Sequence, residues 1–145
     1  MTHCRLRAVD GKSEVYAAML RYLQLACLPG DDPLETSEGH WWVAFDGDLP
    51  VAFAGLTQSQ SVPGAAYLCR AGVLPSHRGR GLQRRLLEAR ERKARKLGFT
   101  VLVTDTFDNP HSSNNLIRSG YRMHIPAVRY GATGTCYWRK PLSPL

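Results

Sequence analysis

Val73-Leu74-Pro75-Ser76-His77-Arg78-Gly79-Arg80-Gly81-Leu82-Gln83 is the stretch on which the fold turns. Ahead of its loop, Ala66 to Leu74 is apolar and suited to a strand, and Pro75 ends that run. Behind it, Leu82 to Leu97 has helical periodicity. A glycine-rich loop therefore opens onto a helix N-terminus. There the first turn leaves backbone N–H groups without helical partners and the macrodipole is positive, so an anion is favoured. Gly79 and Gly81 let the backbone come close to such an anion, and Arg78 and Arg80 add charge; together they point to a pyrophosphate. The two common phosphate patterns do not fit. A Walker loop requires Gly-x-x-x-x-Gly-Lys-Ser/Thr, and the dinucleotide fingerprint requires a third glycine where Arg84 stands.

Outward from the loop, strand 66–74, helix 80–97 and strand 100–105 form a βαβ crossover. The two strands are expected to be parallel, with the loop at the carboxyl end of the first, where ligands bind in open α/β sheets. Before it come a strand at 5–9, a helix at 12–27 and an acidic, turn-rich loop over 30–39. A hairpin of 40–45 with 50–57, closed by Asp46-Gly47-Asp48, leads through residues 59–65 to the first crossover strand. Helix 111–118, strand 121–125 and strand 134–140 complete the order. With 145 residues and no repeat, low-complexity tract or linker, one domain spanning 1–145 is expected.

The net charge of +7 raises the question of nucleic acid, and its location answers it. Residues 78–96 hold nine basic and two acidic side chains, so the rest of the chain carries ten of each sign and the whole surplus sits on one loop and helix. That helix has neither interleaved aromatics nor a base-reading motif, which argues against a nucleic-acid partner. Attraction of a phosphate-rich ligand and plain solubility are the two remaining readings of the charge. No run approaches the length of a spanning helix, and Met1-Thr2-His3-Cys4-Arg5 lacks a secretory core, so a cytoplasmic protein away from membranes is expected. Cys4, Cys27, Cys69 and Cys136 are far apart and read as reduced, mostly buried thiols. They and the five histidines show no ligand spacing, so no metal is expected.

The pattern Arg-x-x-Gly-x-Gly/Ala following Val-x-Pro resembles the acyl-CoA loop of the GNAT superfamily of N-acetyltransferases. Gln83 stands where that family usually has Gly or Ala, at a position whose donor is a backbone amide. Asn109-Pro110-His111-Ser112 through Gly120-Tyr121 resembles the family's Asn-x-x-Ala/Ser, short helix, Gly-Phe/Tyr signature, and the two motifs together cover residues 66–125. The resemblance implies an α/β (α+β) fold: a mixed central sheet of six to seven strands flanked by helices, splayed between two parallel central strands where the pantetheine arm of acetyl-CoA enters. It implies that Arg78, Gly79, Arg80, Gly81, Leu82 and Gln83 hold the pyrophosphate and that amides of Val73 and Leu74 pair with the pantetheine. The amide of Val73 would stabilise the tetrahedral intermediate. Asn109 either bonds the pantetheine or caps helix 111–118, and Ser112 has the same two readings. The implied activity is direct transfer of acetyl from acetyl-CoA to a primary amine, small molecule or protein, of open identity. The alternatives are an acyl-CoA-binding module without catalysis and, on charge alone, a basic nucleic-acid-binding protein.

The catalytic positions depart from the family. Where members often place a tyrosine to protonate the leaving sulfur this chain has Leu116, which leaves Tyr121, Tyr130, Tyr137 or water for the role, or a thiolate that departs unprotonated. Where some members carry a basic glutamate it has Tyr67 and Thr104. Asp105 follows Thr104, and adjacent residues of a regular strand face opposite sides; it is either the acidic residue of the site or a strand-end aspartate. Period two puts Tyr67 on one face with Cys69, Ala71 and Val73, lining the amine pocket or packed in the core. Tyr67 and Asp105 are thus the catalytic candidates. His77 reads as a loop-surface residue beside Arg78. Trp41, Trp42 and loop 31–38 read either as an amine-attracting wall or as hairpin core and solvated loop. Strand 136–140 either completes the amine pocket or forms a dimer edge.

Overall fold

The computed structural model describes residues 3–143. Met1 and Thr2, read above as part of a segment without a secretory core, lie outside the described residues, as do Pro144 and Leu145. Strands β1 (Arg5–Val9), β2 (His40–Asp46), β3 (Leu49–Gln58), β4 (Ala65–Val73), β5 (Val101–Thr106), β6 (Arg122–His124) and β7 (Cys136–Pro141) form one sheet in the order β1-β2-β3-β4-β5-β7-β6. The helices are α1 (Glu14–Cys27), α2 (Leu82–Lys96) and α3 (Pro110–Arg118). β4 and β5 are parallel, as the crossover requires, and β1–β2, β2–β3, β5–β7 and β6–β7 are antiparallel. This is the mixed α/β fold expected, with seven strands.

Two compact units emerge, residues 1–57 with 69–90 and residues 58–68 with 91–145. In the first, β2 and β3 are continuous apolar runs buried on both faces rather than alternating. Val43 and Phe53 are wholly buried, with Leu20 and Leu23 of α1 packed in the same cluster. Trp41 and Trp42 are core residues. The acidic loop is tied down: Thr36 Oγ1 donates to Gly11 O (2.6 Å), Trp41 Nε1 to Glu38 O (2.9 Å), and Arg70 Nη1 to Asp32 O (3.1 Å). A side chain at Gly11 would collide with the Thr36 carbonyl, so the loop's approach requires that glycine.

In the second unit, β7 runs between β5 and β6. The strand read as a possible dimer edge is therefore interior. It covers Cys136–Pro141 rather than 134–140, because a turn with Thr135 N–H on Ala132 O (3.0 Å) occupies the start of that segment. Strand 121–125 contracts to β6 because Tyr121 N–H bonds Leu116 O (2.9 Å), closing the end of α3. Glu91 Oε2 accepts from Tyr121 Oη (2.9 Å) and Lys140 Nζ (3.0 Å), and Lys140 also donates to Ser119 O (2.8 Å). All four cysteines are free, but only Cys4 is fully buried; the other three are half-buried.

Candidate functional site

The loop of the first unit has the backbone that its glycines suggest. Gly79 (φ 77°) and Gly81 (φ 78°) are left-handed, and nothing lies within 4 Å of where a Cβ would stand on either. Helix α2 starts at Leu82, where the helical periodicity begins, rather than at residue 80, since left-handed Gly81 cannot be helical. Its first ladder bond is Arg85 N–H to Gly81 O (3.1 Å), so the amides of Leu82, Gln83 and Arg84 precede the ladder. Arg78 Nε donates to Val73 O (3.3 Å), and Arg80 Nη2 reaches Ser76 O at 3.5 Å. Leu74 N–H is already bonded to Val51 O (2.9 Å). Because successive strand residues present their N–H groups to opposite edges, that of Val73 points the other way.

His77 is buried rather than on the loop surface. Its Nε2 meets Asp46 Oδ2 (2.8 Å) at the end of β2 and its Nδ1 meets Ser76 Oγ (2.7 Å), so the turn Pro75–His77 is fastened to the β2–β3 hairpin. Burial pushes the Cys69 and Cys27 thiols up, against the pull of Arg90 on the first and Arg78 on the second.

In the second unit the registers assemble a polar row. Tyr67 pairs with Val103, Asp105 with Tyr137, and Tyr137 with His124. Directly opposed residues share a face, and Asp105 lies two residues beyond Val103, so Tyr67, Asp105, Tyr137 and His124 all project from one side. Thr104 faces the other way, buried, with Oγ1 on Leu68 O (2.9 Å). Tyr67 Oη donates to Asp105 Oδ2 (2.7 Å). Tyr130, in the segment before β7, donates to the same oxygen (2.6 Å). The Tyr130 ring meets Tyr137 edge-on at 5.2 Å, and Tyr137 Oη accepts Gly131 N–H (2.8 Å). Burial first, then the bond to Asp105 and its charge, push the Tyr130 phenol well above its usual range, so it remains a donor. Burial and then Arg139 pull the His124 imidazole below its usual range, the Tyr137 backbone acting oppositely. His124 Nδ1 is buried with no hydrogen-bond partner.

The profile of the acetyltransferase (GNAT) family matches residues 10–121. The chain belongs to the GNAT acetyltransferase family. Solved structures that share the fold include the ribosomal-protein-S18-alanine N-acetyltransferase of Escherichia coli, with TM-score 0.74, 16% identity, and 99% of this chain and 96% of that one covered. Another is a Bacillus subtilis acetyltransferase in complex with CoA (0.74, 17%, 97% and 100%), and a third is the IAA acetyltransferase of Bacillus cereus (0.74, 15%, 97% and 100%). None of the curated proteins compared matches the chain.

As a GNAT chain it departs from the family pattern described above at the acid position, where Leu116 is buried. Tyr121, one of the substitutes considered, is committed to Glu91. Asn109 caps α3, its Oδ1 accepting Ser112 N–H (3.0 Å), which leaves the Ser112 hydroxyl as the unassigned group of that pair. Among the described residues no group of three or more His, Cys, Asp or Glu is placed to hold a metal, and no helix is long and apolar enough to cross a membrane. Sequence reasoning missed His124 and the hold of Tyr130 on Asp105. Only the alternation of β6 against β7 carried any signal of the first, and nothing local carried the second.

Proposed function

We propose that this chain transfers the acetyl group of acetyl-CoA to a primary amine in the cytoplasm. The observation that carries the reading is the 78–83 loop, whose two left-handed glycines leave open space above the first amides of α2. Any side chain there would fill the cradle, and the arginines flanking Gly79 supply the charge that a pyrophosphate needs, so these residues fit the group. Arg78, Gly79, Arg80, Gly81, Leu82 and Gln83 would hold the pyrophosphate, and the family resemblance makes Ser112 a further candidate for bonding the ligand. When bound, acetyl-CoA supplies its acetyl group as a thioester that an amine attacks.

Of the two strand-end amides, Leu74 N–H is spent on β3, so Val73 N–H is the donor for the thioester oxygen as it gains charge. On the acceptor side, Asp105 takes the ammonium. Both phenols converge on its Oδ2 and fix the carboxylate, which leaves Oδ1 for the substrate. Tyr67 and Tyr130 act through Asp105 as positioning residues, and water protonates the departing sulfur.

Thermal unfolding with and without acetyl-CoA tests the binding step. At a hundred times Kd the ligand should add about 2.7 kcal/mol of stability. Gly81→Val should remove the shift, because a β-branched residue cannot adopt φ 78° without strain. Turnover is then read as CoA release with ethylamine, benzylamine and putrescine. No shift at millimolar acetyl-CoA would overturn the loop assignment, and a shift without CoA release would favour a binding module without catalysis.

A further inference from the structure

We infer that Ser76 is a nucleophilic serine, activated by His77 and Asp46, that takes the acyl group of small activated esters. The chemistry is separate from amine acetylation and requires no CoA. All three residues belong to the first unit, and their polar atoms form a line: Ser76 Oγ lies 2.7 Å from His77 Nδ1, and His77 Nε2 lies 2.8 Å from Asp46 Oδ2. Hydroxyl, imidazole and carboxylate in that order are the parts of an activated nucleophile. The base takes the hydroxyl proton during attack, and the carboxylate holds the base in the tautomer it needs.

The direction of each bond follows from the carboxylate. Asp46 only accepts, so the neutral imidazole carries its proton on Nε2 and presents a lone pair at Nδ1. Ser76 Oγ–H is then the donor, with its proton already on the path that attack requires. Fastening the turn to the hairpin takes the Nε2 bond alone. The Nδ1 bond joins adjacent residues, and what it fixes is the serine hydroxyl. The ring meets the serine through Nδ1 and the carboxylate through Nε2, the reverse of the usual order in serine hydrolases, but either nitrogen is a base when the other holds the proton.

Burial divides the roles. The His77 side chain is 9% exposed and that of Asp46 24%, so little water competes for the imidazole, whereas Ser76 is exposed and open to a substrate. The backbone on the approach to the turn is held too, with His77 N–H on Leu74 O (2.9 Å) and Leu74 N–H on Val51 O (2.9 Å). Arg80 Nη2, 3.5 Å from Ser76 O, brings a cation beside the residue, which favours the negative charge that gathers on an attacked carbonyl oxygen.

With p-nitrophenyl acetate the step balances as follows. Ser76 Oγ forms a bond to the acetyl carbon as its proton passes to His77 Nδ1. The bond from that carbon to the aryl oxygen breaks, and p-nitrophenolate leaves with the electron pair. The imidazolium then gives its proton to solvent, so each acetyl-Ser76 formed releases one p-nitrophenolate and one proton.

The test treats wild type and variants with p-nitrophenyl acetate and then with dithiothreitol, which strips acetyl from cysteine thioesters and spares serine esters. Peptide mass spectrometry reads the acetyl on Ser76 against that on Ser143, an exposed serine after β7. In wild type, Ser76 should be acetylated roughly 100-fold faster than Ser143. His77→Asn removes the base. Asp46→Asn leaves the base but offers Nε2 an amide that can donate, which frees the tautomer with its proton on Nδ1. Each should bring Ser76 down to the rate of Ser143, with Ser143 itself unchanged. Asp46→Asn keeps a polar partner of the same size, so it carries the test should His77→Asn fail to fold. Ser76 reacting no faster than Ser143, or equally fast in wild type and Asp46→Asn, would overturn the inference and leave the three residues as a fastening of the turn.

Discussion

Tyr130 and His77 show how much of a site rests on partners remote in sequence. Tyr130 reaches Asp105 across 25 positions and His77 reaches Asp46 across 31, and no local pattern encodes either bond. Asp105 was legible as an acidic residue at a strand end, and Tyr67 as a residue of one strand face. Their meeting follows from the parallel register of β4 and β5, which fixes what alternation alone left open. His124 supports a prediction at this scale. Its pKa in the folded chain lies below the ordinary 6.5, so between the two values the unfolded chain binds more protons. Its contribution to stability is therefore full above about 6.5 and falls as pH drops through 6.5 toward the folded value. The melting temperature of wild type should decline more steeply than that of His124→Asn from pH 7.5 to 5.5. Parallel declines would show that this imidazole does not titrate abnormally.

Helix α2 was legible as an amphipathic element, yet its stripe conceals two buried charges side by side in sequence. Arg90 donates to Leu86 O (3.3 Å) and Gly55 O (3.4 Å), while Glu91 accepts from Tyr121 and Lys140. Periodicity ranks residues by polarity and so cannot foresee a charge satisfied by carbonyls or by a partner 49 positions away. Glu91→Ala would remove the carboxylate that accepts from Tyr121 Oη and Lys140 Nζ. It should cost about 2 kcal/mol in urea unfolding, since hydrogen bonds to a charged group are lost. Tyr121→Phe, which removes one donor and leaves the ion pair, should cost less. Similar small losses for both would mean that Lys140, whose side chain is 24% exposed, recovers water freely. The ends of β6 and β7 were misjudged because their limits are set by a helix closure at Tyr121 and a turn at Thr135, each a backbone bond rather than a side-chain pattern.

At the scale of the whole molecule, the charge surplus on residues 78–96 adjoins and includes the proposed pyrophosphate loop. Such a field raises association rates for an anionic ligand and is screened by salt. Stopped-flow association of acetyl-CoA should slow about tenfold between 20 and 300 mM NaCl, with kcat changing little. An association rate indifferent to salt would assign the charge to solubility alone. Positive side chains also stand at the two margins of the sheet among the described residues, outside that surplus. β1 exposes Arg5 and Arg7, and β6, only three residues long, exposes Arg122. A margin that is short or lined with like charges is a poor template for further strands, because each added chain would gain few ladder bonds and set arginine against arginine. Resistance to fibril growth is thus written into a few margin arginines that stand outside the surplus of residues 78–96.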